Sequence, residues 1–199
     1  MDTPTFSVFF ALLALACWVA VIAVGAVAIG ARVRPQSFCA DALADLERNA
    51  IWLAALVASV TTLGSLYYSE VAHFVPCSLC WYQRIAMYSS ALILIIAAVR
   101  RDRHIWWYVG PLAIVGGAFA VYHTQLQAFP AQHSSFCTTL EPCTIRYVWE
   151  FGFVSLPFMA LSAFAFVVTM MILTRSFSRR AAATPEGATL EDATLEGAR

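Results

Sequence analysis

Five long apolar stretches constrain this chain more than any other feature of its sequence. Each is long enough to cross a hydrocarbon core about 30 Å thick, because an α-helix rises about 1.5 Å per residue. The composition agrees, with 61% hydrophobic and 12% charged residues, far from the usage of soluble domains. The sequence therefore predicts an all-α, polytopic membrane protein, with spans at about 7–30, 50–69, 81–99, 106–123 and 152–174. The first stretch is too long for the apolar region of a signal peptide and no positive charge precedes it, so it is predicted to be a true span.

The arginines predict the orientation of these spans. All twelve basic residues are Arg, and short connections rich in Arg stay in the cytoplasm. Arginine clusters follow the first, third and fifth spans, whereas the other two connections hold only Arg146. We therefore expect a bacterial plasma membrane protein with an outside N-terminus, a cytoplasmic C-terminus, and extracytoplasmic loops at about 70–80 and 124–151. The formal net charge is zero, so nucleic acid is not an expected partner.

Six cysteines divide into two lone residues and two pairs. Cys17 falls inside the first span, where a small side chain packs well, and Cys39 falls in a predicted cytoplasmic loop, where thiols stay reduced. The pairs lie in the predicted outer loops: Cys77 with Cys80, and Cys137 with Cys143. An even number of cysteines in an oxidising compartment indicates disulfides, which would be either structural or redox-active.

The C-x-x-C pair favours redox chemistry, because a disulfide that closes so small a loop stabilises little. Cys80 is predicted in or near the first turn of the third span, where the helix N-terminus would lower its pKa. Arg84, one helical turn further, would add a cation near the sulfur. The alternative for Arg84 is a side chain that extends to lipid phosphate.

Two other interpretations of the cysteines stay open at this point. A zinc site built from His73, Cys77, Cys80 and His133 is conceivable, although Arg84 would repel a dication, so no metal is predicted. The second pair, Cys137 and Cys143, would form either a small structural disulfide or a disulfide that exchanges with the first pair.

The sequence offers no dinucleotide-binding glycine motif after a strand, so electrons from a dithiol in a membrane would most naturally pass to a lipid-soluble quinone. His123, at the end of the fourth span, is a candidate donor of a hydrogen bond to a quinone carbonyl. The alternative is an ordinary interfacial histidine.

Several segments together resemble the DsbB family of quinone-dependent, disulfide-generating membrane proteins. They are PCSLCWYQRIAMY (76–88), VYHTQLQ (121–127), the Cys137 and Cys143 pair, and YVWEFGFVSLPF (147–158). The WYQRIAMY continuation and the compact second pair are similar to the BdbC-type branch of Gram-positive bacteria. The resemblance covers about 65–174.

This resemblance implies a four-helix bundle that holds ubiquinone or menaquinone and oxidises an exported, thioredoxin-fold, DsbA-like thiol oxidase. By motif position, Cys80 would react with quinone and Cys77 would be its exchange partner. Cys137 would form the mixed disulfide with the oxidase, and Cys143 would resolve it.

Arg84 and His123 match positions that contact quinone in the family. The chain departs from the longer-studied pattern in three ways: the second pair is closely spaced, Gln83 stands where some relatives have an acidic residue, and the first span is additional. The close spacing shortens the long loop that normally lets the two pairs exchange in the family.

The predicted organisation is an N-terminal span and cytoplasmic loop at 1–49, a DsbB-like bundle at 50–175, and a disordered cytoplasmic tail at 176–199. Three alternatives to a quinone-dependent oxidase remain. They are a transmembrane thiol or reductant transporter, a relative of vitamin K epoxide reductase, which usually has the opposite order of cysteine pairs, and a non-enzymatic scaffold stapled by disulfides.

Overall fold

The protein is built from five long helices in the computed structural model, which describes residues 3–34, 38–132, 136–137 and 142–182. The helices are α1 (Thr3–Val33), α2 (Phe38–Leu66), α3 (Ser78–Arg100), α4 (Trp106–Ala128) and α5 (Leu156–Ala182). A π-helical turn, Tyr67–Val71, follows α2, and a 3₁₀ turn, Arg103–Ile105, precedes α4. All five helices are long and apolar enough to cross a membrane. The predicted all-α, multi-pass architecture is confirmed.

Four of the helices close into a ring. Helix α2 packs against α3, α3 against α4, α4 against α5, and α5 returns to α2. Helix α1 packs outside this ring, against α2 and α5. The structure is therefore the predicted four-helix bundle with one additional N-terminal helix.

Small residues let the helices of the ring approach closely. In a membrane, helix association relies on van der Waals packing rather than on the hydrophobic effect, so small side chains at the contacts are favourable. Gly116 on α4 is the tightest example: a Cβ at this position would meet the ring of Phe164 on α5 and would lie 2.8 Å from the Cβ of Ala86 on α3. A stripe of buried alanines lines the rest of the interface: Ala50, Ala54, Ala55, Ala58, Ala86, Ala91, Ala97, Ala98, Ala113, Ala120 and Ala163.

Two helix ends differ from the predicted spans. Helix α2 begins at Phe38 rather than at about 50, so Cys39 lies in its first turn and not in a loop, with its Sγ 3.1 Å from where a Cβ on Gly30 would stand. Helix α5 continues to Ala182, past the predicted end at about 174 and into the predicted tail. Both extensions have the same cause: hydropathy marks the apolar crossing, whereas charged residues continue a helix into the polar region. The remainder of the tail, 183–199, lies outside the described residues.

One end of the bundle carries the first cysteine pair, and we call it the dithiol end. It comprises the π turn after α2, the irregular segment 72–77, the start of α3, the end of α4 and the start of α5. Helix α5 starts at Leu156 rather than at 152 because a tight turn precedes it, with left-handed backbone at Phe151 (φ 51°) and Gly152 (φ 79°). This turn is closed by a bridge between Glu150 and Val154.

Candidate redox site

The first cysteine pair lies where the chain enters α3. Val75 precedes Pro76, which favours extended backbone before the helix, and Cys77 is the extended N-cap residue (φ −73°, ψ 171°). Cys80 sits in the first turn, as predicted from the sequence. The two sulfur atoms are 2.9 Å apart, with Cys77 buried and Cys80 half-buried. The helix start therefore holds the two sulfurs close enough to share a proton or, when oxidised, to form a disulfide.

His123 on α4 is buried beneath this pair, with 2% of its surface exposed. Its Nε2 lies 3.0 Å from the backbone oxygen of Cys143 and 3.8 Å from the Sγ of Cys77. Its Nδ1 lies 3.1 Å from the side-chain nitrogen of Gln83. A carbonyl oxygen only accepts hydrogen bonds, so Nε2 must carry the proton, and in the neutral ring Nδ1 then accepts from the Gln83 amide.

The surroundings of Cys77 stabilise its ionised form. A hydrogen bond from the Cys80 thiol has the largest effect and, together with His123, it lowers the pKa of Cys77 well below the usual range of a thiol, although burial raises it. The sequence argument placed the ionised sulfur at Cys80. In the structure the imidazole of His123 lies 3.8 Å from the sulfur of Cys77, and this contact favours the ionised form of Cys77.

The second pair forms a disulfide, Cys137–Cys143, with a Cα–Cα distance of 5.8 Å. Cys143 is 3% exposed and belongs to one buried cluster with Cys77, Leu79 and Leu126, against which Cys80 and Cys137 also pack. The structure thus brings all four cysteines of the two predicted outer loops together. The close spacing of the second pair does not prevent contact between the pairs.

The loop after the second pair is fixed to the end of α4 by two side chains. Gln127 donates from its amide to the backbone oxygen of Ile145 at 3.0 Å, and Arg146 donates to the backbone oxygen of Gln127 through both Nε and Nη2. The Arg146 guanidinium also lies over the ring of Trp149, 4.0 Å from its centroid. These bonds hold the loop that follows Cys143 against the end of α4.

A cavity of about 530 Å³ opens beside the pair, between α1, α2, α3 and α5. Its polar lining near the sulfurs includes Cys80, Gln83, Arg84 and His123, together with Ser65 and Tyr88. Arg84 donates to the backbone oxygen of Ser65 at 3.1 Å, and the Tyr88 hydroxyl donates to Ser65 Oγ at 3.0 Å. Arg84 is therefore tied to α2 inside the cavity, in contrast to the alternative in which it extends to lipid phosphate.

The sequence argument missed three polar residues of this lining: Gln83, as the partner of His123, and Ser65 and Tyr88, as partners of Arg84. A signal was available for two of them. Gln83 is three residues after Cys80, and Tyr88 is four after Arg84, and such spacings share one helix face. It also treated Cys17 as a packing residue, whereas Cys17 lines the far part of the cavity. No comparable signal marked Ser65, which lies on a different helix.

The candidate zinc ligands are only partly brought together. Potential ligand atoms of Cys77, Cys80 and His123 lie within 4.8 Å of one another. His73 is not part of this group, and His133 lies outside the described residues. A structural zinc site takes four ligands, and the Nε2 of His123 already donates to the oxygen of Cys143. Among the described residues the arrangement suits thiol chemistry better than zinc binding.

A helical membrane bundle in which a thiol pair packs on a disulfide defines a class of protein, the multi-pass membrane thiol–disulfide oxidoreductases. The profile of the family described as "Disulfide bond formation protein DsbB" matches residues 47–174. The chain belongs to this family, and the match includes most of α2 and extends further toward the N-terminus than the predicted resemblance.

Curated relatives agree with this assignment. The chain is 42% identical over 127 residues to disulfide bond formation protein C of Bacillus subtilis, covering 63% of this chain and 90% of the relative. It is 40% identical over 126 residues to a probable disulfide formation protein C of Halalkalibacterium halodurans, covering 61% and 89%. It is also 40% identical over 120 residues to a probable disulfide formation protein of Coxiella burnetii, covering 59% and 82%. No solved structure matches the chain at a significant level.

Proposed function

We propose that the protein reoxidises an extracytoplasmic, thioredoxin-fold, DsbA-like dithiol oxidase and delivers the electrons to a membrane quinone, either ubiquinone or menaquinone. One observation carries this proposal. The Cys137–Cys143 disulfide packs in one cluster with Cys77 and Cys80, and Cys80 in turn lines a cavity that is polar at one end and apolar elsewhere.

The relay begins at the second pair. A thiolate of the partner attacks Cys137 of the disulfide, forms a mixed disulfide with it and releases the Cys143 thiolate. The second thiolate of the partner, rather than Cys143 as first expected, then attacks the partner's sulfur in that bond and releases Cys137, because attack by Cys143 would only restore the starting disulfide. The partner leaves as a disulfide, and Cys137 and Cys143 hold the two electrons as a dithiol.

The second step is exchange between the two pairs. With Cys77 and Cys80 joined as a disulfide, one thiolate of the second pair attacks Cys77, forms a mixed disulfide with it and releases the Cys80 thiolate. The other thiolate of the second pair then attacks the second-pair sulfur in that bond and releases the Cys77 thiolate. The second pair is again a disulfide, and Cys77 and Cys80 become the dithiol. His123 assists by donating to Cys77 as that sulfur leaves as a thiolate, since Nε2 carries the proton.

The cavity fits a quinone. Its volume is within the usual range for ligand sites, and its hydrogen-bond donors are gathered at one end, beside Cys80. Arg84 and Gln83, with His123 adjoining them, would hold the carbonyl oxygens of the quinone. A bound quinone would supply an acceptor for the two electrons and two protons of the dithiol.

The orientation belongs to the same proposal. Arginine clusters at the end opposite to the dithiol end would keep that end in the cytoplasm. The dithiol end, with both cysteine pairs, would then face the outside, where a secreted oxidase can reach it and where disulfides persist.

The test is quinone-dependent oxidation by the purified full-length protein in lipid nanodiscs, supplied with a reduced thioredoxin-fold oxidase. Thiols are trapped by alkylation at intervals and assigned by peptide mass. We expect Cys77 and Cys80 to return to the disulfide only when quinone is present, and Cys80→Ser to abolish turnover while Cys39→Ser retains it. Inert, fully oxidised cysteines would support a scaffold instead, and turnover that continues without quinone but requires Cys17 or Cys39 would support a thiol transporter.

A further inference from the structure

We propose that α1 forms a wall of the quinone cavity and contacts the isoprenoid chain of the quinone, with Leu13 among the contacting residues. This inference rests on the proposed function and adds a role for the helix that stands outside the four-helix ring.

Helix α1 is fixed to the ring at the dithiol end by three contacts. The ring of Phe6 stacks on Tyr67 at a centroid distance of 4.2 Å, and the buried hydroxyl of Tyr68 donates to Ser7 Oγ at 3.4 Å. One turn further, Phe10 packs on Gly64, where an added Cβ would lie 2.7 Å from the aromatic ring. These contacts set the rotation of α1 about its axis.

That rotation directs one face of α1 into the cavity. The residues of α1 that line the cavity are Phe9, Phe10, Leu13, Ala14, Ala16, Cys17 and Ala20. Leu12 and Val19 do not line the cavity, and 53% and 67% of their surfaces are exposed. Adjacent leucines of α1 therefore have different surroundings: Leu13 lines the cavity, and Leu12 faces the region of the bilayer.

The cavity is divided by polarity along its length. The hydrogen-bonding side chains near the sulfurs come from α2, α3 and α4, whereas α1 and the facing part of α5 contribute almost purely apolar surface, including Leu156, Met159 and Ala160. A ligand that fills both parts needs a compact polar head and an extended apolar chain. A phospholipid shares the apolar chain, but the small set of donors beside a dithiol suits a redox-active ring.

This wall lies outside the part of the chain that matches the family, which begins at residue 47. The match to the Bacillus subtilis relative accounts for 90% of that protein but 63% of this chain. The wall formed by α1 thus adds to the family bundle, at the seam between α2 and α5.

Photolabelling of the full-length protein in nanodiscs tests the proposal. The probe is a quinone analogue with a diazirine on its isoprenoid chain, and adducts are mapped by peptide mass. We expect adducts in residues 9–20 that excess unmodified quinone suppresses and that a phospholipid of equal chain length does not. Adducts confined to α2–α5, or equal suppression by the phospholipid, would overturn the proposal.

A matched pair of variants gives a second measurement. Leu13→Trp should fill the cavity and weaken quinone binding by about tenfold, because overpacking a formed site is unfavourable. Leu12→Trp adds the same ring on the lipid side and should change binding less than about twofold. Equal binding by both variants would contradict the assignment of Leu13.

Quinone-dependent reoxidation of Cys77 and Cys80 by the unmodified protein separates this inference from the proposed function. If reoxidation occurs and α1 is unlabelled, the role of α1 as a wall of the quinone cavity is wrong, and the proposed function stands. If reoxidation does not occur, the function itself is wrong.

Discussion

At the scale of single residues, His123 is the link between the two cysteine pairs. One ring nitrogen faces both the sulfur of Cys77 and the backbone oxygen of Cys143. The other accepts from Gln83, which supports the tautomer that the Cys143 oxygen selects. Gln83 therefore acts as a positioning residue: it does not bond either sulfur, but it stabilises the histidine tautomer that the Cys143 oxygen selects.

Replacing Gln83 by Leu should raise the pKa of Cys77. Without the amide, only the Cys143 oxygen holds the ring in the tautomer with the proton on Nε2, so the donor toward the sulfur is less firmly held. A hydrogen bond to a charged group contributes about 1.5–3 kcal/mol, so the rise should be at most about 1–2 pH units. Because the pKa of Cys77 is lowered in the folded protein, its thiolate persists above that pKa and is lost as the pH falls through it. The variant should lose the thiolate at a higher pH.

The measurement is the rate of alkylation of Cys77 in the reduced protein as a function of pH, quantified by peptide mass. Gln125→Leu is the matched control, because Gln125 is an exposed glutamine near the same end of α4 whose amide bonds Gln132 instead of His123. Superimposable profiles for the Gln83 variant and the unmodified protein would remove Gln83 from this role.

The sequence sufficed to find the cysteines and Arg84, because spacing along one helix determines which residues share a face. It did not suffice for the partners of His123. Gln83 is 40 residues away along the chain, and their contact depends on how α3 and α4 are rotated against each other. The same rotation decides that Cys77, rather than Cys80, faces the donor.

At the scale of helices, the close contact at Gly116 yields a stability prediction. Gly116→Ala would place a methyl group against Phe164, which is 1% exposed and has little room to move, and against Ala86. Overpacking of this kind costs about 1–3 kcal/mol. We expect a lower Tm in detergent-solubilised protein, measured by thermal unfolding.

Gly117→Ala is the control on the same helix. A Cβ there would lie 3.5 Å from the Cβ of Phe164, an ordinary contact, and Ala gains up to about 1 kcal/mol over Gly in a helix interior. Its Tm should be unchanged or higher. A loss of stability as large as that of the Gly116 variant would mean that helix flexibility, and not close packing, explains these glycines.

The helices also show what hydropathy can and cannot predict. It located all five crossings, because the cost of burying charge in hydrocarbon is large. It misplaced the start of α2 and the end of α5, because charged residues are compatible with a helix once it leaves the apolar layer. In α2 these residues are Asp41, Asp45 and Arg48. Cys39 was assigned to a loop for the same reason.

At the scale of the whole molecule, the proposed orientation is tested with cysteines that the chain already has. A membrane-impermeant maleimide added to intact cells after mild reduction should modify Cys137, which is half-buried at the dithiol end, but not Cys39, which lies near the opposite end. Permeabilised cells should show modification of both. Modification of Cys39 alone in intact cells would show the opposite orientation, with the dithiol on the cytoplasmic side.

The order of the relay is tested by asking which cysteine of the second pair meets the partner. Cys143 is 3% exposed, whereas Cys137 is half-buried, so an incoming thiolate should reach Cys137.

In variants that retain either Cys137 or Cys143 as the single cysteine, each thiol is first converted to a mixed disulfide with an aromatic thiol. A thioredoxin-fold partner carrying one active-site cysteine is then added, and the released aromatic thiolate is followed by absorbance. We expect a covalent complex with the Cys137 variant at a rate at least about tenfold higher than with the Cys143 variant, because a buried sulfur is poorly accessible to attack. The reverse order of rates would assign the partner to Cys143 and would require the mixed disulfide to form beside His123, inside the cluster that joins the two pairs.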